Sequence, residues 1–200
     1  MAPLLYLITP ADPDPVQFPR LLMAALTGPE IAAMLVRRGT LDDAAYASLA
    51  ERLIQIGQAA GAAVLLEDDV ALVRRLGADG VHVTGGAKAI SEAIAALKPA
   101  AIVGAGNIRS RHDAMSFGEL DVDYVMFGPL GGAADKQAAE LAQWWAHTFE
   151  VPAVYSDPAA NIALLADLET EFIALSDCIW SDADPAAALG DFDRAAREEA

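Results

Sequence analysis

The sequence predicts a single (β/α)8 barrel, the TIM-barrel architecture, and two observations lead to that prediction. Eight short apolar, β-prone stretches recur along the 200 residues, and each is followed by a stretch with the apolar spacing of a helix. Eight strand–helix units in one chain are typical of a closed parallel barrel. The predicted strands are Leu4–Thr9, Ile31–Arg37, Ala63–Glu67, Gly80–Val83, Ile102–Gly106, Tyr124–Gly128, Ala153–Ser156 and Phe172–Ser176.

The predicted strands are mostly continuous apolar runs. Such runs are expected for parallel strands that are buried on both faces. In this architecture the chemistry lies on one rim, at the C-terminal ends of the strands. The candidate functional residues are therefore those that end or directly follow each predicted strand.

The segments between the strands carry helix signals. Thr40–Asp43 has the pattern of a capping box that opens the second helix. Asp157-Pro158 and Asp184-Pro185 each predict an N-cap followed by proline at the first helical position. Apolar residues at helical spacing follow in the second helix (Tyr46, Leu49, Leu53 and Ile56) and in the fourth (Ile90, Ile94 and Leu97).

Composition favours one domain over residues 1–200 with a large core, since 54% of the residues are hydrophobic. The formal net charge is −16, and the longest basic clusters are Arg37-Arg38 and Arg74-Arg75. A nucleic-acid partner requires a positive footprint, and an anionic membrane surface attracts basic clusters. The charge therefore argues against both partners.

Three observations predict a cytoplasmic location. The longest apolar run is shorter than the roughly 18 residues that span a membrane. The first residues lack the basic region of a signal peptide. The single cysteine, Cys178, cannot form an internal disulfide.

Several segments resemble the thiamine phosphate synthase/TenI family of barrels. Leu5–Pro10 resembles the family's first strand, and Gly77–Val83 resembles its GADGVH signature. Asp123–Pro129 resembles the DYIGFGP segment, and Lys136 falls at the lysine of the TxTK motif. The register of the resemblance holds from about residue 4 to residue 188.

The resemblance implies an enzyme that acts on small-molecule substrates. The synthases of this family join a pyrimidine methyl diphosphate to a thiazole phosphate and release pyrophosphate with Mg²⁺. Members commonly self-associate, so the resemblance also implies a homo-oligomer. The TenI branch includes thiazole tautomerases, whose catalytic histidine after the fifth strand is absent here.

Two basic residues match the family positions that handle the diphosphate. Arg37 aligns with the arginine of the QLRxK pattern, whereas Leu35 and Gly39 replace its glutamine and lysine. Lys136 keeps its spacing from Gly128, although both threonines of TxTK are replaced. The resemblance makes Arg37 and Lys136 the candidate catalytic residues and Gly128 a substrate-binding residue. Alternatively, both charges are ordinary solvated side chains.

Arg38 is a candidate to replace the lost lysine as a substrate-binding residue. Three small or polar residues are further candidates because they lie at family substrate-binding positions after the fifth, seventh and eighth strands. They are Asn107, Ser156 and Ser176.

The candidate metal ligand is Asp68, which aligns with a magnesium-binding aspartate of the family. Magnesium prefers oxygen ligands and often takes one or two carboxylates together with substrate phosphate. The family's second aspartate is replaced by Ala87. Alternatively, Asp68 or Asp69 caps the third helix.

The turns after the seventh and eighth strands depart most from the family. There the family binds the thiazole phosphate on backbone N–H groups. Here Asp157 and Asp177 place carboxylates at these turns, and Pro158 removes one N–H donor.

Three hypotheses follow. The leading one is a divergent thiamine phosphate synthase-like transferase. The second is a catalytically degenerate barrel that binds a ligand or a partner. The third is an enzyme with a changed, non-phosphate substrate that uses Glu67, Asp68, Asp157 and Asp177. His82, within a predicted strand, is expected to be a packed or hydrogen-bonded residue of the barrel.

Overall fold

The computed structural model describes residues 3–198, and Met1, Ala2, Glu199 and Ala200 lie outside the described part. Within it, strands pair in parallel, in chain order, around a closed barrel, so the predicted fold class is confirmed. The strands are β1 (Leu4–Ile8), β2 (Ala33–Val36), β3 (Ala63–Glu67), β4 (Gly80–Val83), β5 (Ile102–Ala105), β6 (Tyr124–Phe127), β7 (Ala153–Ser156) and β8 (Phe172–Leu175).

Helices surround the barrel. They are α1 (Phe18–Ala25), α2 (Asp43–Ala59), α3 (Val70–Leu76), α4 (Ala87–Leu97), α5 (Arg111–Gly118), α6 (Lys136–Thr148), α7 (Asp177–Trp180) and α8 (Pro185–Glu198). A 3-10 helix, Ile162–Asp167, connects β7 to β8. Among residues 3–198, no helix is both long and apolar enough to cross a bilayer.

The strands separate two hydrophobic clusters by their two-residue alternation. One cluster fills the space between barrel and helices, and a smaller one fills the barrel interior. The interior cluster consists of Tyr6, Ile8, Leu35, Leu65, Tyr124, Met126, Val154 and Ala174. Alternation therefore directs the residues two positions beyond Leu35, Leu65, Val154 and Ala174 into the barrel mouth. They are Arg37, Glu67, Ser156 and Ser176.

A hydrogen-bonded group of three side chains crosses the middle of the barrel. The hydroxyl oxygens of Tyr6 and Tyr124 are 3.0 Å apart, and Nδ1 of His82 is 2.8 Å from the Tyr124 hydroxyl. Gly104 makes room for this group, because a Cβ there would lie 2.0 Å from the Tyr124 ring. The prediction that His82 is a packed, hydrogen-bonded residue is confirmed. Burial lowers the pKa of His82 to about 4, so its imidazole is neutral at pH 7.

Two predicted helix starts are wrong. The N-cap of α2 is Asp42, whose Oδ1 accepts from the Ala45 N–H at 2.8 Å, whereas Thr40 donates to Asp12 in the preceding loop. Asp157 lies in a turn and accepts from the Ala159 N–H at 2.9 Å.

The other predicted proline start is confirmed. Helix α8 begins at Pro185, and Oδ1 of Asp184 accepts from the Ala187 N–H at 3.1 Å.

Candidate active site at the barrel mouth

Arg37 lies inside the mouth of the barrel, directly after β2. Its backbone N–H donates to Oγ1 of Thr9 at 3.0 Å, which fixes the start of the side chain. Its Nη1 is 3.5 Å from the Leu130 carbonyl oxygen, and its Nε is 3.9 Å from Oε2 of Glu67. Gly131 allows this approach, since a Cβ there would lie 2.8 Å from Nη1 of Arg37. The guanidinium thus spans from β3 to the loop after β6.

Three buried polar side-chain atoms lack a hydrogen-bond partner among residues 3–198, and all belong to the barrel interior. They are Nε of Arg37, Nε2 of His82 and Oγ of Ser176. Buried polar groups are nearly always paired in native proteins, so each orphan requires an explanation. A polar ligand in the mouth would supply partners to the two that lie at the rim, Arg37 and Ser176.

Arg38 points away from the mouth, toward α2 and α3. Its Nη1 donates to Oδ2 of Asp69 at 2.9 Å, and its Nη2 pairs with Asp43. Its guanidinium carbon lies 5.2 Å from the centre of the Tyr46 ring, within the range of a cation–π contact. The backbone N–H of Arg38 donates to Oε2 of Glu67 at 2.9 Å. Four neighbours therefore hold Arg38 outside the space that Arg37 occupies.

Asp68 and Asp69 have separate tasks at the end of β3. Asp69 caps α3, because its Oδ1 accepts from the Leu72 N–H at 2.9 Å. Asp68 does not cap the helix: its backbone is left-handed, with φ of 52°. Its Oδ1 accepts from the Thr84 N–H at 2.7 Å, and its Oδ2 accepts from the Thr84 hydroxyl. The Asp68 carboxylate is thus exposed at the rim and fixed across β3 and β4.

The hydrogen bonds continue from β4 to the loop after β5. Nδ2 of Asn107 donates to the Thr84 carbonyl at 3.3 Å, and Oδ1 of Asn107 accepts from Nε of Arg109 at 3.1 Å. Asn107 has φ of 57°, a left-handed conformation that asparagine tolerates better than most residues. A continuous series of hydrogen bonds therefore runs along the rim through Asp68, Thr84, Asn107 and Arg109.

A cavity of about 420 Å³ opens between the loops after β5 and β6. Its walls include Asn107, Arg109, Gly128 and Asp135. Gly128 has φ of 101°, and a Cβ there would lie 2.1 Å from the Ser156 carbonyl oxygen, so close packing of β6 on β7 requires glycine.

Lys136 is the first residue of α6 and is exposed. The N-cap of this helix is Asp135, whose Oδ1 accepts from the Gln137 N–H at 2.9 Å. Asp135 and Gln137 both line the cavity, so the lysine is anchored beside it.

The turns after β7 and β8 are acidic. Oδ2 of Asp177 accepts from the Gly132 N–H at 2.7 Å. A Cβ on Gly131 would lie 3.5 Å from this oxygen and 2.8 Å from Nη1 of Arg37, so the carboxylate lies near the Arg37 guanidinium. The hydroxyl of Ser156 donates to the Pro129 carbonyl at 2.7 Å. Asp157 is half-buried, and the Tyr155 hydroxyl lies 3.5 Å from its Oδ2. This half of the mouth therefore carries two carboxylates and one orphan hydroxyl, Ser176.

The structure thus brings Arg37, Gly128, Ser156 and Ser176 around one mouth and places Asp68 and Asn107 on its edge. Sequence patterns do not identify Arg109 as a candidate. Only its position, four residues beyond the end of β5, could have drawn attention to it. The contact between Arg37 and Glu67 also required the structure, since it depends on both side chains facing inward.

The donor set at Asp68 fits magnesium only together with a phosphate ligand. Among residues 3–198, no three His, Cys, Asp or Glu side chains lie together in a way that could hold a metal. Asp68 supplies one exposed carboxylate, and each of its oxygens keeps a lone pair beside its bond to Thr84. One carboxylate plus substrate phosphate oxygens is a usual magnesium environment.

The fold and the site define the class of protein first. It is a (β/α)8 barrel with charged and hydroxyl groups that face inward at the C-terminal ends of the strands, where barrels of this kind carry their active sites. The family model described as thiamine monophosphate synthase matches residues 5–177. The chain belongs to this family.

Relatives named thiamine-phosphate synthase are similar over nearly the whole chain. The one from Rhodospirillum centenum is 37% identical over 201 residues, which cover 96% of this chain and 97% of the relative. The one from Erythrobacter litoralis is 35% identical over 92% of this chain and 91% of the relative. The one from Hyphomonas neptunium is 34% identical over 94% and 91%, respectively.

Solved structures agree in fold. A thiamine phosphate pyrophosphorylase from Pyrococcus furiosus superposes with a TM-score of 0.83 at 20% identity, covering 98% of this chain and 96% of the other. A 3-hexulose-6-phosphate synthase from Salmonella typhimurium gives a TM-score of 0.75 at 15% identity over both full chains. At these identities the likeness shows the fold alone.

Proposed function

We propose that this protein joins a pyrimidine methyl diphosphate to a thiazole phosphate and releases pyrophosphate. The observation that carries the proposal is the inward-facing Arg37, whose buried Nε has no hydrogen-bond partner among the described residues. A guanidinium with free donors at a barrel mouth suits phosphate oxygens. The relatives are named thiamine-phosphate synthase, which supports the same product.

In this proposal Arg37 and Lys136 hold the diphosphate from the β2 and β6 sides. Gly128 lines the cavity on the β6 side, and Ser156 and Ser176 face the second substrate. Asn107 stays a predicted substrate-binding residue at the edge. Arg38 also stays a prediction, and diphosphate binding there requires it to exchange its partners Asp43 and Asp69.

The reaction breaks one C–O bond and forms one C–N bond. The bond between the pyrimidine methylene carbon and the diphosphate oxygen breaks, and pyrophosphate leaves with the electron pair. The thiazole nitrogen then donates its lone pair to the resulting carbocation. Positive charge over the departing oxygens accelerates this step, because negative charge develops there in the transition state. Arg37 and Lys136 supply that charge.

We further propose Mg²⁺ as the cofactor, with Asp68 as its protein ligand. A magnesium ion held there would supply positive charge to the departing diphosphate. Thr84 orients the Asp68 carboxylate for this role through both of its oxygens.

The test is a direct assay. Purified protein is incubated with the pyrimidine methyl diphosphate, the thiazole phosphate and Mg²⁺, and thiamine phosphate is followed by chromatography beside a known synthase. The proposal expects product from the wild type and its loss in the Arg37→Ala and Lys136→Ala variants. Absence of product above background retires the synthase proposal.

The acidic turns after β7 and β8 favour a second candidate, transfer to an acceptor without a phosphate. Asp157 and Asp177 place negative charge where the family binds the thiazole phosphate, and an anion meets repulsion there. Thermal stabilisation by the thiazole phosphate, in the presence of magnesium and pyrophosphate, supports the first candidate. Stabilisation by a cationic ligand supports the second, and stabilisation by neither supports a non-catalytic barrel.

We propose that the reaction takes place in the cytoplasm and that the protein forms a homo-oligomer. The unpaired thiol of Cys178 suits a reducing compartment. The mass of the protein in solution, measured by light scattering, tests the second statement.

A further inference from the structure

We infer that Arg109 binds the diphosphate in the cavity between the loops after β5 and β6, and that Asn107 positions it there. This inference rests on the proposed function and assigns a residue outside the family motifs. Three observations carry it: the orientation of Arg109, the cavity in front of it, and the loss of other donors around that cavity.

The orientation of Arg109 is fixed at its inner nitrogen. Nε donates to Oδ1 of Asn107, and Asn107 is itself anchored to the Thr84 carbonyl. The backbone N–H of Arg109 donates to Oδ2 of Asp113 at 3.2 Å. These bonds leave the two terminal nitrogens, with four N–H donors, available for a ligand. No ion pair joins the Arg109 guanidinium to an acid among residues 3–198.

The cavity provides the space that these donors require. It has a volume of about 420 Å³, and Arg109, Gly128 and Pro129 line it. The 13-residue helix α6 begins at its edge, and the N-terminus of a helix favours a nearby anion. Asp135 also lines the cavity, but its Oδ1 is engaged with the Gln137 N–H.

The mouth of the barrel lacks several groups that would otherwise bind phosphate. Ala133 and Asp135 stand where hydroxyls are expected from the resemblance, and Gly39 stands where a lysine is expected. Arg109 restores one positive charge on the β5 side. Hydrogen bonds through Asn107 and Thr84 connect Arg109 to Asp68, the candidate magnesium ligand.

The experiment measures pyrophosphate binding by calorimetry, with and without Mg²⁺, for the wild type, four single variants and one double variant. Arg109→Ala is expected to weaken binding about tenfold, because it removes a charge-assisted hydrogen bond. Arg109→Lys keeps the charge without the fork and is expected to lie between the two. Arg75→Ala is the matched control, since Arg75 is exposed in the last turn of α3, at the opposite end of the barrel.

Asn107→Gly tests the positioning role. Glycine accepts the left-handed backbone without strain, so this variant removes the side chain alone. It is expected to weaken pyrophosphate binding in the wild type and to have no further effect in Arg109→Ala, because Asn107 acts through Arg109. Additive losses in this double-mutant cycle contradict the positioning role.

The outcomes separate this inference from the proposed function. Arg109-dependent pyrophosphate binding without any thiamine phosphate formation supports the inference and overturns the function. Product formation with unchanged pyrophosphate affinity in Arg109→Ala overturns the inference alone. A wild-type protein that does not bind pyrophosphate also overturns it. Unfolding temperatures of all variants show whether each remains folded.

Discussion

The two halves of the barrel mouth differ in their basic residues. The half formed by the ends of β2 to β6 carries Arg37, Arg109 and Lys136 beside the carboxylates of Glu67, Asp68 and Asp135, and the donors of Arg37 and Arg109 are incompletely used. The half formed by β7 and β8 carries the carboxylates of Asp157 and Asp177. Basic groups remain where a diphosphate would leave, whereas acidic groups stand where a second phosphate would bind.

This difference suits a diphosphate on the β2–β6 half better than a phosphate on the β7–β8 half. In the proposed reaction, release of pyrophosphate needs positive charge at the leaving group, and Arg37, Arg109 and Lys136 would supply it. Binding of the acceptor depends on the acidic half, where a phosphate is disfavoured by repulsion. The barrel interior between them stays apolar apart from the Tyr6–Tyr124–His82 group.

The largest expected effect comes from Arg37→Ala, which removes the inward-facing positive charge of the β2–β6 half. We expect a loss of about 100- to 1000-fold in kcat/KM for the diphosphate substrate, the usual effect of removing one charge-stabilising donor. Steady-state kinetics measure it, with Arg37→Lys as the matched variant that keeps the charge. Equal rates for the wild type and Arg37→Ala, both folded, would exclude Arg37 from the reaction.

Gly128→Ala tests the close packing that joins the two halves. Its Cβ would lie 2.1 Å from the Ser156 carbonyl oxygen, so we expect a loss of about 3 kcal/mol in the free energy of unfolding. Gly132→Ala is the control, because Gly132 also has a positive φ but has open space around it. Chemical denaturation measures both. Similar losses in the two variants would contradict the steric explanation.

His82 provides a pH test of the interior between the halves. Its pKa is about 4 in the folded protein and 6.5 for the free side chain, so the unfolded chain binds a proton that the folded protein excludes. Stability therefore falls as the pH drops from 6.5 toward 4. Between pH 7 and pH 4.5 we expect the wild type to lose on the order of 2 kcal/mol more than His82→Gln.

Urea unfolding at the two pH values measures this difference. His112→Gln is the control, since His112 is exposed on α5. Equal losses in the wild type and His82→Gln would show that His82 titrates normally in the folded protein.

The smallest expected effect comes from a variant in the acidic half, which is formed by β7 and β8. Asp177→Asn keeps an oxygen that can accept from the Gly132 N–H and removes one negative charge. We expect the KM for the thiazole phosphate to fall on the order of tenfold, since one repulsive charge near a phosphate costs about 1 kcal/mol or more. Glu169→Gln, on the surface before β8, serves as a charge control. An unchanged KM in Asp177→Asn would place the acceptor elsewhere.

Much of the fold could be predicted from the sequence because strand burial leaves a direct pattern. Strands β3, β4 and β7 have the predicted bounds, and alternation alone directs Arg37 and Ser176 inward. The predicted helix start at Asp157 was wrong because the Asp157 carboxylate accepts from the Ala159 N–H within a turn. Sequence patterns do not distinguish such a turn from an N-cap.

The site was less predictable because its chemistry depends on which side chains are already engaged. Arg38 and Arg37 are adjacent, yet only the structure shows that Arg38 is held by Asp43 and Asp69 while Nε of Arg37 lacks a partner. Arg109 lies in no motif, and the role inferred for it rests on its bond to Asn107, two residues away.

The most direct test of the account is the amount of pyrophosphate released in a single turnover, measured with the thiazole phosphate present and absent. The account predicts that pyrophosphate and thiamine phosphate form in equal amounts when both substrates are present, and that both disappear in Arg37→Ala. Failure of the folded wild type to release pyrophosphate from the pyrimidine methyl diphosphate would contradict it.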